Sequence, residues 1–255
     1  MDQSTKGREN RMKHSNSLRI TSYHINRTGE ASLPFLFWYM QEIAWEHAHE
    51  LGFGFDHLRQ DRLFWVLARL HVKLKRRPRW TEKITLDTWS RGTDGFFAYR
   101  DFQFLDSTRQ EIITATSSWL VLDLDSRRIQ RLRQLQNFPE YQESILGANP
   151  EKVEPAAKGD NLEFAPVQFN DVDINQHINS GRYLERIDNS YTPEFQYKQN
   201  LKELAVNFIK EGMPEDLLGV RKQLLSSQEH LCSVTRQSDG ADLIRARLLW
   251  EEKPM

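Results

Sequence analysis

The polar and apolar positions change period along the chain, and each period predicts an element. Residues 1–17 (MDQSTKGRENRMKHSNS) are polar with no apolar repeat, which predicts a flexible start. Over residues 32–52 (SLPFLFWYMQEIAWEHAHELG), Leu36, Tyr39, Met40, Ile43 and Ala44 recur at helical spacing. Ser32 can cap this helix, Pro34 suits its first turn and Gly52 can close it. It is apolar on more than one face, so it should be largely enclosed. The period then drops to two: Leu70, Val72 and Leu74 alternate with Arg69, His71, Lys73 and Lys75 across 67–75, as in a half-buried strand. Further strands are predicted over 84–89, 96–106 and 111–125, parted by the turn-like RGTDG and DSTRQ.

The pattern then begins again. From about residue 133 to 161 the chain carries three prolines and little periodicity, the marks of a linker. Beyond it come a polar strand exit, a helix (SGRYLERID) and strands over 204–211, 220–226, 229–237 and 241–251. The class is α+β: a helix and antiparallel strands, twice over. The division is a first domain over 18–135, a linker over 136–160 and a second domain over 161–255. Laying 24–42 on 170–188 sets Asp173, Asn175 and His177 opposite Arg27, Gly29 and Ala31. Laying 69–83 on 205–219 sets Glu211 opposite Lys75. In that register only the second copy holds groups able to move protons or polarise a carbonyl. One site per chain follows.

Composition removes whole classes of function. Lys+Arg 35 against Asp+Glu 36 in 255 residues leaves a formal charge of -1, so nothing marks the whole chain as nucleic-acid binding. Mean hydropathy is -0.69, and the most apolar run, 35–40, is far short of the roughly 20 residues a membrane helix needs. The start has no apolar signal-peptide core. The single cysteine, Cys232, excludes an internal disulfide or thiolate zinc site and suits a reducing bacterial cytoplasm. Its alternating context EHLCSV reads as a buried structural thiol. There is no G-x-S-x-G elbow, HExxH pair or phosphate-binding glycine loop, and neither metal nor cofactor is expected.

Two clusters carry candidate chemistry. In DVDINQHINS, Asp173, Asn175 and His177 stand at i, i+2 and i+4, a spacing that projects all three to one side of an extended segment. The chain then enters a helix from Asn179 or Ser180, whose first N–H groups can stabilise a developing oxyanion. An imidazole, a carboxylate and an amide that both donates and accepts make a hydrolytic site there. Asp and Asn also serve as plain helix caps in such places. Glu211, beside Gly212 and Pro214, also reads as an exposed strand end. The second cluster is Lys73, Lys75, Arg76, Arg77 and Arg79, which can steer an acidic partner or guard a strand edge.

These residues carry a resemblance to the acyl-ACP thioesterases over about residues 18–250. RPRWTEKITLDTWSRGTDGFFAYRDF and TATSSWLVLDLDSRRIQRL are similar to the family's first-half run, and DVDINQHINSGRYLE to its D-x-D-x-N-Q-H-x-N-x-x-x-Y segment. The resemblance implies a tandem hotdog fold, each copy a long helix wrapped by an antiparallel sheet. It also implies hydrolysis of fatty acyl thioesters on acyl carrier protein, ending chain elongation. Asp173, Asn175, His177 and Glu211 fall on the family's active-site positions. Plant members often place a cysteine after that glutamate; Gly212 stands here, which favours attack by water. In that scheme Glu211, assisted by His177, takes the water proton, Asn175 and helix N–H groups hold the water and thioester oxygen, and Asp173 orients them. Sequence leaves open which of Glu211 and His177 is the base. Phe35, Trp38 and Tyr39 would line the acyl tunnel, and the basic run would receive the acidic carrier protein. An acyl-CoA thioesterase and a non-catalytic acyl-binding protein are the competing readings. Monomer and homodimer are both compatible with a tandem pair.

Overall fold

The computed structural model describes residues 13–132, 142–157, 162–174 and 176–253. The chain divides into two units, residues 1–31 with 38–150 and residues 32–37 with 151–255. In the first, strands β1 (His14–Arg19), β2 (Leu63–Leu74), β3 (Lys83–Thr93), β4 (Ala98–Leu105) and β5 (Glu111–Asp123) form an antiparallel sheet ordered β1-β3-β4-β5-β2. The two-residue β6 (Ile129–Gln130) adds to β5. In the second, β7 (Phe164–Pro166), β8 (Gln199–Phe208), β9 (Leu217–Leu224), β10 (Glu229–Arg236) and β11 (Asp242–Glu252) are ordered β7-β9-β10-β11-β8. Each sheet thus runs first, third, fourth, fifth, second. The repeat read from sequence is a repeat of topology.

The main helix of the first copy, α1 (Leu33–Glu50), starts where Ser32 Oγ accepts the Phe35 N–H at 3.3 Å. Its covered face carries Leu36, Met40, Ile43, Ala44, His47 and Ala48, spaced three and four apart. His47 meets Arg100 of β4 and Tyr39 meets Phe104, so this helix lies over the inner face of the first sheet. Enclosure is not complete, however: Trp45 is 49% exposed and Glu42 and His49 face solvent. A short helix, α2 (Phe55–Gln60), follows. In the second copy α3 (Ser180–Asn189) and α4 (Pro193–Lys198) take the helical layer, with Tyr191 stacked on His230 of the sheet and both Tyr191 and Phe195 meeting Trp250 edge-on.

Of the stretch 1–17 expected to be flexible, residues 1–12 lie outside the described residues, and the rest departs from that expectation. His14–Arg19 is not flexible but the edge strand β1, paired with β3 from His14↔Thr88 to Arg19↔Lys83. Its anchors are polar, which hides it from apolar periodicity: Ser15 donates to Asp87, Ser17 meets Thr85 and His14 meets Glu46 and Glu50. The linker is also tied down where it is described. Ile145 donates to Asp101 in the first unit, while Val153 and Ala156 donate to Asn207 and Ser233 in the second.

Candidate active site

The segment 172–178 closes on itself before α3 begins. Val172 bridges Ile178, Asp173 N–H donates to the His177 carbonyl at 2.8 Å and Gln176 N–H to the Asp173 carbonyl at 3.0 Å. Gln176 holds the left-handed turn position at φ 64°, uncommon for a residue with a Cβ. Ile178 N–H then donates to the Gly212 carbonyl at 3.0 Å, fastening this loop to the chain that leaves β8. The result brings together two residues far apart in sequence. His177 Nε2 lies 3.4 Å from Glu211 Oε2, with the imidazole mostly covered and the carboxylate 44% exposed. Asp173 is half-buried in the same loop, and its backbone holds the His177 carbonyl. Asn175 lies outside the described residues.

The helix start offers fewer oxyanion donors than its sequence implied. Asn179 is the cap, accepting the Gly181 N–H on Oδ1 at 3.0 Å. The N–H groups of Ile178, Asn179 and Arg182 are also committed, to Gly212, Asp171 and Asn179 carbonyls. A helix N-terminus stabilises negative charge through N–H groups with no intrahelical partner. Ser180 N–H is the one in this stretch that no described residue accepts.

The first copy repeats the loop and corrects the alignment. Ile25 bridges Ala31, Asn26 N–H donates to Glu30, Gly29 N–H to Asn26, and Ala31 N–H to Pro78. Gly29 holds the left-handed position at φ 77°. The residues opposite Asp173, position 175, His177 and Glu211 are therefore Asn26, Thr28, Glu30 and Arg77, not Arg27, Gly29, Ala31 and Lys75. The overlays of 24–42 on 170–188 and of 69–83 on 205–219 are off by one and two residues; the shared left-handed turn position is held by Gly29 in one copy and Gln176 in the other. The first copy is not empty of ionisable groups, but it has no imidazole and its charges are exchanged. Its Asn26 amide oxygen is taken by Thr28, through both N–H and hydroxyl.

Of the nominated acyl-contacting side chains, Phe35, Trp38 and Tyr39 are each half-buried. The Tyr39 hydroxyl is pushed up to about 12 by burial, with the Glu46 charge adding to it. The aromatic most enclosed on α1 is instead Phe37, 1% exposed against Phe208. The basic run is partly neutralised: Lys75 pairs with Glu111, and Arg76 with Glu82 and Asp106. Lys73, Arg77 and Arg79 have no carboxylate within ion-pair distance among the described residues. Cys232 is fully buried and burial pushes its thiol up to about 11, which suits structure rather than nucleophilic attack.

One residue of the site escaped the sequence reading. The Tyr183 hydroxyl accepts the Gly212 N–H at 2.9 Å, one residue past Glu211. Its signal was present, since Tyr183 closes the quoted motif and shares the covered face of α3 with Leu184 and Ile187. Two open grooves in the second unit, of about 660 Å³ and 640 Å³, are lined by neither His177 nor Glu211. Among the described residues no group of three or more His, Cys, Asp or Glu side chains is placed to hold a metal ion.

Comparison with known proteins agrees along nearly the whole chain. The acyl-ACP thioesterase N-terminal domain matches residues 11–136 and the C-terminal domain residues 154–252. Oleoyl-acyl carrier protein thioesterase 2 of Arabidopsis thaliana chloroplasts is 25% identical, over 92% of this chain and 75% of that protein. A chloroplastic acyl-[acyl-carrier-protein] hydrolase of Cuphea viscosissima is 28% identical over 93% of this chain, which spans 61% of that relative. The crystal structure of an acyl-ACP thioesterase from Bacteroides thetaiotaomicron superposes with a TM-score of 0.87, at 23% identity, over 95% of this chain and 99% of that one. The 12:0-ACP thioesterase from Umbellularia californica gives 0.83 at 20% identity, over 94% and 98%. The fold is the double hotdog. Matched in both of its domains, the chain belongs to the acyl-ACP thioesterase family.

Proposed function

We propose that this protein hydrolyses the thioester of fatty acyl chains on acyl carrier protein through Glu211 and His177 of its second copy. The observation that carries the assignment is the 3.4 Å approach of His177 Nε2 to Glu211 Oε2, in the copy whose counterpart has Glu30 and Arg77. Glu211 is exposed enough to meet a water, and the imidazole beside it can share or relay the proton. The base takes one proton as the water oxygen bonds to the thioester carbon. The tetrahedral oxyanion is held by Ser180 N–H and the Asn175 amide. Collapse breaks the carbon–sulfur bond, and the thiolate of the carrier leaves with the proton that the base took. Asp173 orients the loop that presents His177.

The acyl chain is received by the first copy and α1, with Phe35, Trp38 and Tyr39 along its path. The carrier approaches over Lys73, Lys75, Arg76, Arg77 and Arg79. A single buried cysteine fits a reducing compartment, and the bacterial cytoplasm is the proposed location. The test is thiol release by purified protein from matched acyl-carrier and acyl-CoA series. Glu211→Gln is expected to lower kcat by roughly 10²–10⁴-fold, the usual worth of a general base. Near-parental turnover in that variant would remove Glu211 from the chemistry. Preference for acyl-CoA would replace the carrier assignment.

A further inference from the structure

Given the assignment of Glu211 and His177 as the working pair, the geometry points to Tyr183 and Gly212 as a clamp that sets where Glu211 stands relative to His177. Gly212 is bonded on both of its peptide faces. Its carbonyl accepts the Ile178 N–H at 3.0 Å, and its N–H donates to the Tyr183 hydroxyl at 2.9 Å. Ile178 directly follows His177, and Gly212 directly follows Glu211. Backbone next to each member of the pair is therefore joined through one residue. Gly212, Ile178 and Tyr183 are all buried, where hydrogen bonds are not exchanged with water. Burial holds the Tyr183 hydroxyl well above its ordinary value, so it remains neutral and able to accept.

The clamp explains the glycine. A Cβ at position 212 would lie 2.5 Å from Ile178 Cδ1, 2.6 Å from the Tyr183 hydroxyl and 3.0 Å from Leu243 Cδ1. The space where any side chain would go is filled by both clamp partners. The cysteine that plant members often carry after the glutamate would push the Tyr183 hydroxyl off the N–H it holds.

The first copy supplies an internal control. It keeps one of the two bonds, Ala31 N–H to the Pro78 carbonyl at 2.8 Å. Pro78 has no N–H to give, and the position matching Tyr183 is Leu36, which has no hydroxyl. The second bond is thus not a requirement of the fold. Donor and acceptor are both missing from the copy that has Arg77 in place of Glu211. Tyr183 is on this reading a positioning residue that acts through Glu211 and touches no substrate.

The test is steady-state thiol release from an acyl-carrier substrate by Tyr183→Phe, Gly212→Ala, their combination and Glu211→Gln. Small displacements of a reacting group are costly, so Tyr183→Phe and Gly212→Ala should each lower kcat by about 10–100-fold. KM should stay within about twofold, because no binding contact is removed. Gly212→Ala added to Tyr183→Phe should cost under about threefold more, since independent effects would multiply. Ile178→Val, which deletes the atom nearest the new Cβ, should restore part of the turnover lost in Gly212→Ala. That pair carries the test if Tyr183→Phe fails to fold. Parental kcat in Tyr183→Phe beside an inactive Glu211→Gln would overturn the clamp and leave the site standing. An active Glu211→Gln would overturn the site and the clamp together.

Discussion

Arg91 Nε stands 2.7 Å from an Asp101 carboxylate oxygen, with both side chains fully withdrawn from solvent. The pair does not stand alone. Arg91 continues to the Thr116 hydroxyl, the Asn149 side chain and the Gln142 carbonyl, while the second Asp101 oxygen accepts the Ile145 N–H. One ion pair therefore joins β3, β4 and β5 to the stretch 142–149 that leaves the first unit. Removing one partner strands the other charge in the interior, so Asp101→Asn or Arg91→Met should cost about 3–5 kcal/mol. Urea unfolding followed by tryptophan fluorescence reads this directly. A loss below about 1 kcal/mol would mean water reaches the pair and the network is not closed.

His230 gives stability a pH dependence. It is buried on β10 with Nδ1 3.0 Å from the Tyr191 hydroxyl, and burial, helped by the Lys222 charge, holds its imidazole below the usual 6.5. The unfolded chain binds a proton there at pH values where the folded chain does not. The contribution of this residue is therefore intact above 6.5 and declines as pH falls below it. Urea midpoints at about pH 7.5 and about pH 5.5 should converge in His230→Gln relative to the parent protein. An unchanged gap between them would assign the dependence to other groups.

Cys232 should behave as a packed thiol. With its thiol pushed up to about 11 and no exposed surface, it should resist a disulfide reagent at neutral pH and release one equivalent only on unfolding. Cys232→Ala should keep thioesterase turnover within about twofold, as expected of a residue outside the chemistry. Rapid native labelling together with loss of activity on labelling would reinstate a cysteine mechanism.

Charge reversal tests the carrier surface selectively. Among the described residues, the side chains of Lys73, Arg77 and Arg79 form no ion pair, whereas Lys75 and Arg76 are already paired. Replacing those three by Glu should raise KM severalfold for the acyl-carrier substrate and leave acyl-CoA kinetics unchanged. The difference should shrink at high salt, where exposed charges are screened. Equal effects on both substrates would locate the damage in the active site instead.

The long helix and the eight principal strands were legible because alternation and helical spacing record which side of an element is buried. The strand β1 was not, since its partners Asp87, Glu46 and Glu50 are polar and far away in sequence. Phe37 could not be told from Phe35, because both sit in an aromatic run and only packing decides which ring is enclosed. The register between copies was legible to within one or two positions. Fixing it required the hydrogen bonds around Gly29 and Gln176, which serve one turn with different residue types.

The sequence by itself determined that there are two copies, that each pairs helix with antiparallel strands, and that the imidazole belongs to the second. Those are properties of periodicity and residue type, which are local. Only the tertiary structure decided that His177 and Glu211 meet, that the helix-start N–H groups are mostly spent, and that Gly212 has room for no side chain. Each of these depends on which distant backbone atoms come within hydrogen-bonding or van der Waals reach, and a chain folded back from residue 212 to residue 178 settles that in space rather than along the sequence.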